Sequence, residues 1–377
     1  MIYREFQGMK LSALGFGSMR LPVIDGDDSN IDKAEAEKMV AYAYENGVNY
    51  YDTAWGYHNG KSEVVMGEIL SKYPRDSFYI ADKFPGYDLD NMGKAKEIFA
   101  EQQKRTGMDY FDFYLVHNVC ELNIDAYLDP KYPDVEYLIE QKKEGKIKHL
   151  GFSAHGSADT IKRFLDKYGA YMEFCQLQLN FLDWEFQDTE GKYKLLEKNN
   201  IPVWVMEPLR GGRLVRLSDA EAKGVAKIRE GLTGLECSFR FIQSLPNVKV
   251  TLSGMSSLSQ VKDNIEFFKE DKALNADETA ALMAVAKGMT SSKTVPCTGC
   301  HYCVSHCPQE LDIPKLLELY NEHHFSDGGF LAPFGLRAMG EGKQPSDCLS
   351  CGSCAAVCPQ RIDIPGKLAE FAEMMKQ

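Results

Sequence analysis

Three things are scarce in this chain of 377 residues. No apolar run approaches the roughly 20 residues that a membrane-spanning helix needs, and the start, Met1-Ile-Tyr-Arg-Glu5, lacks the apolar stretch of a signal peptide. Basic residues are outnumbered, 43 Lys and Arg against 55 Asp and Glu, for a formal charge of −12. That balance argues against nucleic acid or an anionic membrane as a partner, because both need a basic footprint. Small molecules or proteins are the expected partners and the cytoplasm the expected compartment. The third shortage is glycine where a dinucleotide-binding turn would need it. Gly15-Phe-Gly17-Ser18-Met-Arg20 lacks the third glycine of Gly-x-Gly-x-x-Gly, which tells against a doubly wound open sheet.

A hydrophobic content of 44% over this length suffices for one large core and a small appendage. Residues 3–17 alternate around Gly8 as a hairpin would and then enter a first strand at 14–17. A helix is expected over 32–46, where Ala34, Met39, Val40, Ala43 and Tyr44 recur at helical spacing and Gly47 is the stop. Strand and helix then alternate. Further strands are expected at 48–52, 78–83, 113–117, 147–153, 174–179, 203–207 and 249–253, with helices at 63–70, 94–105, 135–143, 160–168, 192–198, 234–244 and 258–268. Strands apolar nearly throughout, each followed by a crossover helix, favour a closed (β/α)8 TIM barrel, an α/β fold, with the open sheet as runner-up. A last barrel helix is expected at 276–289, and the polar run Thr290-Ser-Ser-Lys-Thr294 marks a boundary between domains 1–290 and 291–377.

Eight of the eleven cysteines fall in two runs, Cys297-Cys300-Cys303-Cys307-Pro308 and Cys348-Cys351-Cys354-Cys358-Pro359. Dense thiols inside a cell are metal ligands more often than disulfides. Two zinc sites are the weaker alternative, because zinc ligands come as separated Cys-x2-Cys pairs. Spacings of two, two and three residues before a proline read instead as two [4Fe-4S] clusters and resemble bacterial two-cluster ferredoxins. That resemblance implies crossed ligation, Cys297, Cys300 and Cys303 with Cys358, and Cys348, Cys351 and Cys354 with Cys307. The segment Cys307-Pro-Gln-Glu-Leu-Asp-Ile-Pro314 returns as Cys358-Pro-Gln-Arg-Ile-Asp-Ile-Pro365, so the tail repeats a unit of cysteine loop plus helix. The long insert between the runs makes a mainly helical ferredoxin-like domain the expectation. Cys120, Cys175 and Cys237 lie outside the runs and are read as buried small apolar residues.

The barrel candidates centre on Asp52-Thr-Ala-Trp-Gly-Tyr57, followed by Asn59-Gly-x-Ser-Glu63, Lys83, Leu115-Val-His117 and Leu150-Gly-Phe-Ser153. These motifs, in this order, resemble the aldo/keto reductases over residues 3–268. The resemblance implies a barrel that reduces carbonyls with NAD(P)H, with Tyr57 as the acid, Lys83 and Asp52 beside it, and His117 orienting the substrate. The residue types suit that chemistry. Hydride delivery to a carbonyl leaves an alkoxide, which needs a proton donor and nearby positive charge. Tyrosine, with an ordinary pKa of about 10, is expected to be pulled down by the Lys83 ammonium, which Asp52 keeps charged.

For the cofactor, the resemblance implies that Ser153 and Gln176 hold a nicotinamide amide, although the asparagine usual after that serine is Ala154 here, followed by His155. It also implies a loop at Pro208, Leu209, Gly212 and Leu214, and a phosphate and adenine site at Ser253, Gly254, Met255, Ser256, Gln260 and Asn264. Gly17 and Ser18 complete the set. The cation many relatives use for a 2′-phosphate is missing, Gln260 standing in its place with Lys262 nearby, so NAD, NADP and FMN all stay open. The main reading is an iron–sulfur aldo/keto reductase acting on a small-molecule carbonyl or, in reverse, an alcohol, its clusters structural or passing electrons to a one-electron carrier protein. A flavin-containing, ferredoxin-linked reductase and a redox-sensing nucleotide-binding subunit are the alternatives. Substrate and oligomeric state are left open.

Overall fold

The chain starts with a hairpin of β1 (Tyr3–Phe6) and β2 (Met9–Ser12), joined through Gln7 and Gly8 at φ 47° and 84°, the mirror-image turn that matches strand twist. Eight strands follow in this computed structural model, which describes residues 1–291, 294–297, 303–326, 328–358 and 360–376. They are β3 (Leu14–Gly17), β4 (Tyr50–Asp52), β5 (Tyr79–Phe84), β6 (Phe111–Val119), β7 (Ile147–Ala154), β8 (Cys175–Gln178), β9 (Val203–Met206) and β10 (Val248–Gly254). Each pairs in parallel with the next, and β10 returns to β3 in the register Thr251 to Leu14 through Gly254 to Gly17. The sheet is therefore the closed barrel, and the open-sheet alternative falls. Several helices start where a side chain satisfies a first-turn N–H group: Asp32 caps Lys33–Glu45, Ser157 caps Ala158–Tyr168 and Ser257 caps Leu258–Phe267.

The barrel interior is packed from one end. Phe6 and Leu11 of the hairpin join Tyr50, Ala81, Phe113, Leu115, Phe174, Trp204, Val250 and Leu252 in one cluster, with the Phe6 ring 5.0 Å from Trp204 and 5.9 Å from Phe113. This aromatic plug fills the N-terminal end and leaves the C-terminal strand ends to polar side chains. Three short helices, Ile124–Leu128, Asp183–Phe186 and Asp219–Ala226, stand in loops where no helix was expected. At one to two turns they are too short to print a helical period on the sequence.

The chain divides into two compact units, Met1–Ala281 and Leu282–Gln377. The second is mainly helical, with Ile313–Ser326, Leu331–Met339, Ser353–Ala356 and Ile364–Met374 packed around Leu311, Leu316, Tyr320, Leu336, Leu368 and Phe371. Its two repeats agree in backbone detail. Glu310 and Arg361 sit at φ 52° and 53°, their N–H groups bond Cys307 and Cys358 carbonyls, and Asp312 and Asp363 each accept from the N–H three residues on. Pro314 and Pro365 lie in first helical turns, where no N–H is needed. Cys300, Pro359 and the linker residues Ser292 and Lys293 lie outside the described residues. Among the described residues no helix is long and apolar enough to cross a membrane.

One helix contact is tight enough to test. A Cβ on Gly67, in the helix Ser62–Leu70, would come within 2.2 Å of the Thr106 carbonyl oxygen at the end of Ala95–Thr106. Gly67→Ala is expected to cost about 1–3 kcal/mol through overpacking. Tryptophan fluorescence during thermal unfolding reports this barrel, which holds Trp55, Trp184 and Trp204, and an unchanged midpoint would contradict so close a contact.

Candidate functional site

Side chains alternate across a strand, so the inward-facing Tyr50, Ala81, Phe113 and Leu115 put Asp52, Lys83 and His117 on the same inner face. Adjacent strands β4, β5 and β6 bring them together at the C-terminal end. Lys83 Nζ donates to Asp52 Oδ1 at 2.6 Å and to the Thr53 carbonyl at 2.7 Å, and lies 3.4 Å from Tyr57 Oη. The Tyr57 and His117 rings stand edge to face at 6.4 Å between centroids, and Tyr87 closes on His117 from the other side at 5.3 Å. The four candidate catalytic side chains thus share one cluster, with Asp52 and Lys83 buried and Tyr57 and His117 half-buried above them.

Electrostatics follow from burial. Dehydration by itself would discharge Lys83, but the Asp52 carboxylate at contact outweighs it and raises the lysine pKa, so Asp52 does keep it charged. The expectation for Tyr57 is reversed. Burial raises the phenol pKa, with Asp52 and Glu207 adding to it, and the pull of Lys83 does not make up the difference. His117 moves well below its ordinary value through burial, the Lys83 charge and His155, so it is neutral, and its Nδ1 is buried without a partner.

The other candidates ring the same end. Gln176 Nε2 on β8 lies 3.4 Å from Asp52 Oδ2. Ser153 Oγ on β7 accepts the Asn118 N–H at 2.8 Å, which leaves its own hydrogen to donate. Ser18 Oγ donates to the Asp52 carbonyl at 2.8 Å and meets Ser62 Oγ at 2.7 Å, a tie beneath Asp52, while Gly17 ends β3 against the Ser253 carbonyl. After β9, Pro208 and Leu214 are buried, Leu209 is half-buried and Gly212 turns at φ 89°. After β10, Ser253 Oγ accepts from Asn264, and Ser256 N donates to Gln260 Oε1 at 2.8 Å, with Gly254, Ser256 and Gln260 exposed and Met255 buried. These serine, glutamine and asparagine groups could hold an amide and a phosphate-bearing nucleotide.

Sequence reasoning missed several members. Tyr87 and Asn118 crowd the cluster, Asn118 in the left-handed region at φ 60°, and Tyr127 Oη holds the His117 carbonyl at 2.8 Å. Trp55, inside the quoted motif, carries the Arg105 guanidinium on its ring at 3.8 Å. Arg20 pairs with Glu207 at 3.2 Å across the β3 and β9 loops, and Arg210 with the buried Asp183 at 2.9 Å. Only a lone charge in an apolar neighbourhood marks such residues in a sequence.

In the second unit Cys307, Cys348, Cys351 and Cys354 line one small pocket with Leu311 and Leu368. Burial raises the Cys354 thiol pKa, and the neighbouring Cys348 and Cys307 add to the rise. Three thiols of one run and the fourth of the other, in an apolar pocket, fit the donor set of a cubane cluster. Cys297, Cys303 and Cys358 pack against the same apolar core. None of the described cysteines is in a disulfide.

Comparison with known proteins agrees with this fold. A model of the aldo/keto reductase family matches residues 13–287, and a model of 4Fe-4S dicluster domains matches 296–362. An NADH-specific methylglyoxal reductase of Escherichia coli is 30% identical over 54% of this chain and 65% of its own length, so the chain spans less than two thirds of that relative. L-galactose dehydrogenase of Arabidopsis thaliana is 24% identical over 75% of the chain and 94% of its own. Among solved structures, the holo form of the aldo-keto reductase AKR11C1 from Bacillus halodurans is 25% identical, covers 74% of this chain and 94% of its own, and has a TM-score of 0.62.

Neutral His117 has a stability consequence. Its folded pKa lies below that of the unfolded chain, about 6.5, so below that pH the unfolded state takes up a proton that the folded state refuses. The contribution is complete above pH 7.5 and is lost by about 1.4 kcal/mol per unit below 6.5. His155, lowered to about 4, adds to the slope. His117→Gln is expected to lose less melting temperature than wild type between pH 7.5 and 5.5; equal losses would mean that folded His117 is protonated.

Proposed function

The chain belongs to the aldo/keto reductase family, and on that premise we propose that its barrel reduces an aldehyde or ketone with a nicotinamide cofactor, Tyr57 giving the proton. The observation that carries this reading is the Asp52, Lys83, Tyr57 and His117 cluster, with Lys83 Nζ 2.6 Å from Asp52 and 3.4 Å from Tyr57 Oη. Bound reduced nicotinamide supplies the hydride. Ser153 and Gln176 hold its amide, the 208–214 loop and the residues from Ser253 to Asn264 hold its phosphates and adenine, and Gly17 and Ser18 form the floor.

The protein's own groups manage charge and protons. Neutral His117 has one N–H to give and presents it to the carbonyl oxygen, while Tyr57 Oη approaches from the side of Lys83. As the carbonyl oxygen gains charge, the Tyr57 proton moves onto it. The raised phenol pKa is no obstacle, because an alkoxide is far more basic than any phenolate, and it keeps the tyrosine protonated while it waits. The phenolate left behind is met by the Lys83 ammonium, whose charge Asp52 has already secured. In the reverse direction the same residues would take the proton of an alcohol while oxidised nicotinamide accepted its hydride.

We assign NADH as the preferred cofactor. Lys262, the cation nearest the expected 2′-phosphate position in sequence, lies over the Tyr42 ring at 5.4 Å, and Gln260 is occupied with the Ser256 N–H. An NADH-specific methylglyoxal reductase among the relatives points the same way and suggests small dicarbonyls as first substrates to try. The iron–sulfur clusters stand outside the hydride step. Each passes one electron and nicotinamide moves two, so exchange between them would call for a flavin such as FMN in the barrel and a one-electron carrier outside it.

Two measurements test the reading. Tyr57→Phe is expected to lower kcat by about 10² to 10⁴, the usual worth of a general acid, with nicotinamide affinity nearly intact; equal turnover by variant and wild type would remove Tyr57 from the mechanism. With methylglyoxal and other small aldehydes, kcat/KM is expected to be higher with NADH, and a preference for NADPH would overturn that assignment.

A further inference from the structure

The face of β5 turned away from the cavity carries a second buried cluster that the chemistry above does not use. Asp82 precedes Lys83 and so points outward into the helix layer. There it meets Glu63 of the helix Ser62–Leu70, both carboxyl groups being fully buried. One amide serves both. Gln102 Nε2 shares its two hydrogens among Asp82 Oδ1 at 2.8 Å, Glu63 Oε1 at 3.0 Å and the Lys83 carbonyl at 3.0 Å, while Gln102 Oε1 takes the Tyr114 hydroxyl, which fixes the amide's orientation. Asp82 Oδ1 also accepts the Lys83 N–H at 2.8 Å. Glu63 Oε2 takes Arg105 at 2.9 Å.

Counting donors leaves one atom over. Both Glu63 oxygens and Asp82 Oδ1 are supplied, but Asp82 Oδ2 is buried with no partner, and the Asp82 and Glu63 carboxyl groups are hydrogen-bonding neighbours. Two bare carboxylates at that distance would repel each other out of water and would leave an acceptor orphaned as well. A single proton removes both costs.

We propose that Asp82 and Glu63 share one proton, carried as Asp82 Oδ2–H donating to Glu63, and that this acid–carboxylate pair positions Lys83 and Tyr57. The positioning half rests on the reading that Lys83 and Tyr57 perform the proton transfer. The pair holds Lys83 by both backbone groups, N–H on Asp82 and C=O on Gln102. Through Glu63 it holds Arg105, which braces Trp55, two residues before Tyr57. The charged and titratable groups facing the pair are Lys83 from β5, Tyr114 from β6, Arg105 from Ala95–Thr106 and Tyr87 from the loop after β5. Burial and the Glu63 charge hold the Asp82 acid well above the usual carboxylate range, the direction that a shared proton requires.

The test uses the full-length, cluster-loaded protein at pH 7 and its variants Asp82→Asn and Asp82→Ala. Infrared difference spectra are expected to show a protonated-carboxyl C=O band in wild type that Asp82→Asn removes. With methylglyoxal and NADH, Asp82→Asn is expected to keep kcat within about twofold, because its amide donates to Glu63 as the acid does, whereas Asp82→Ala loses about tenfold or more through misplacement of the reacting groups with KM for NADH unchanged. Absence of the band overturns the shared proton, and Asp82→Asn as impaired as Asp82→Ala overturns its positioning role. Should wild type turn over no carbonyl, the proposed function fails and positioning fails with it, while the infrared band still decides the proton.

Discussion

The ion pair of Lys83 and Asp52 is the constraint on which the barrel site depends. Taking two charges out of water costs several kcal/mol per ion, which only close, well-partnered geometry repays. Here the ammonium is 2.6 Å from the carboxylate and 2.7 Å from the Thr53 carbonyl. Neither side chain can relax into solvent, since Lys83 is wholly buried and Asp52 nearly so. Burial together with this charge keeps His117 neutral, and the ammonium stands ready beside Tyr57.

Holding that pair still requires a stiff frame, and the frame is built in layers. The aromatic plug around Phe6, Phe113 and Trp204 fills the opposite end, so the strands cannot collapse onto the polar cluster. Strand β5 works on both faces, Lys83 toward the cavity and Asp82 toward the helices. The network of Gln102, Glu63, Arg105 and Trp55 then links the backbone of the lysine to the loop that carries the tyrosine. One interior network therefore sets the relative position of two groups 26 residues apart in the chain.

The dicluster unit follows a different logic, duplication. Each copy offers a cysteine loop that turns through a left-handed residue, Glu310 or Arg361, and an aspartate that caps the next helix. Neither copy's run alone forms the cavity, which takes Cys307 from the first and Cys348, Cys351 and Cys354 from the second. The repeat thus makes the two halves of the unit depend on each other, and a metal cluster bound there would fasten them.

Much of this was legible in the amino-acid order. Eight apolar strands alternating with amphipathic helices define a barrel because each element's period is local, and Asp52, Lys83 and His117 were readable as site candidates because each ends a strand. The cysteine spacing and the repeated Asp-Ile-Pro likewise carry their meaning within a few residues. What only the tertiary structure decided depends on burial and on contacts between distant segments. The direction of the Tyr57 shift turned on how much water the closed barrel excludes, which the neighbouring lysine alone does not reveal. The short helices after β6 and β8 are held by packing, and the meeting of Glu63, Asp82 and Gln102 joins three elements whose sequences look like ordinary solvated or capping charges. Local pattern determined the architecture and its candidate chemistry; dehydration and long-range contact determined the protonation states and the supports behind them.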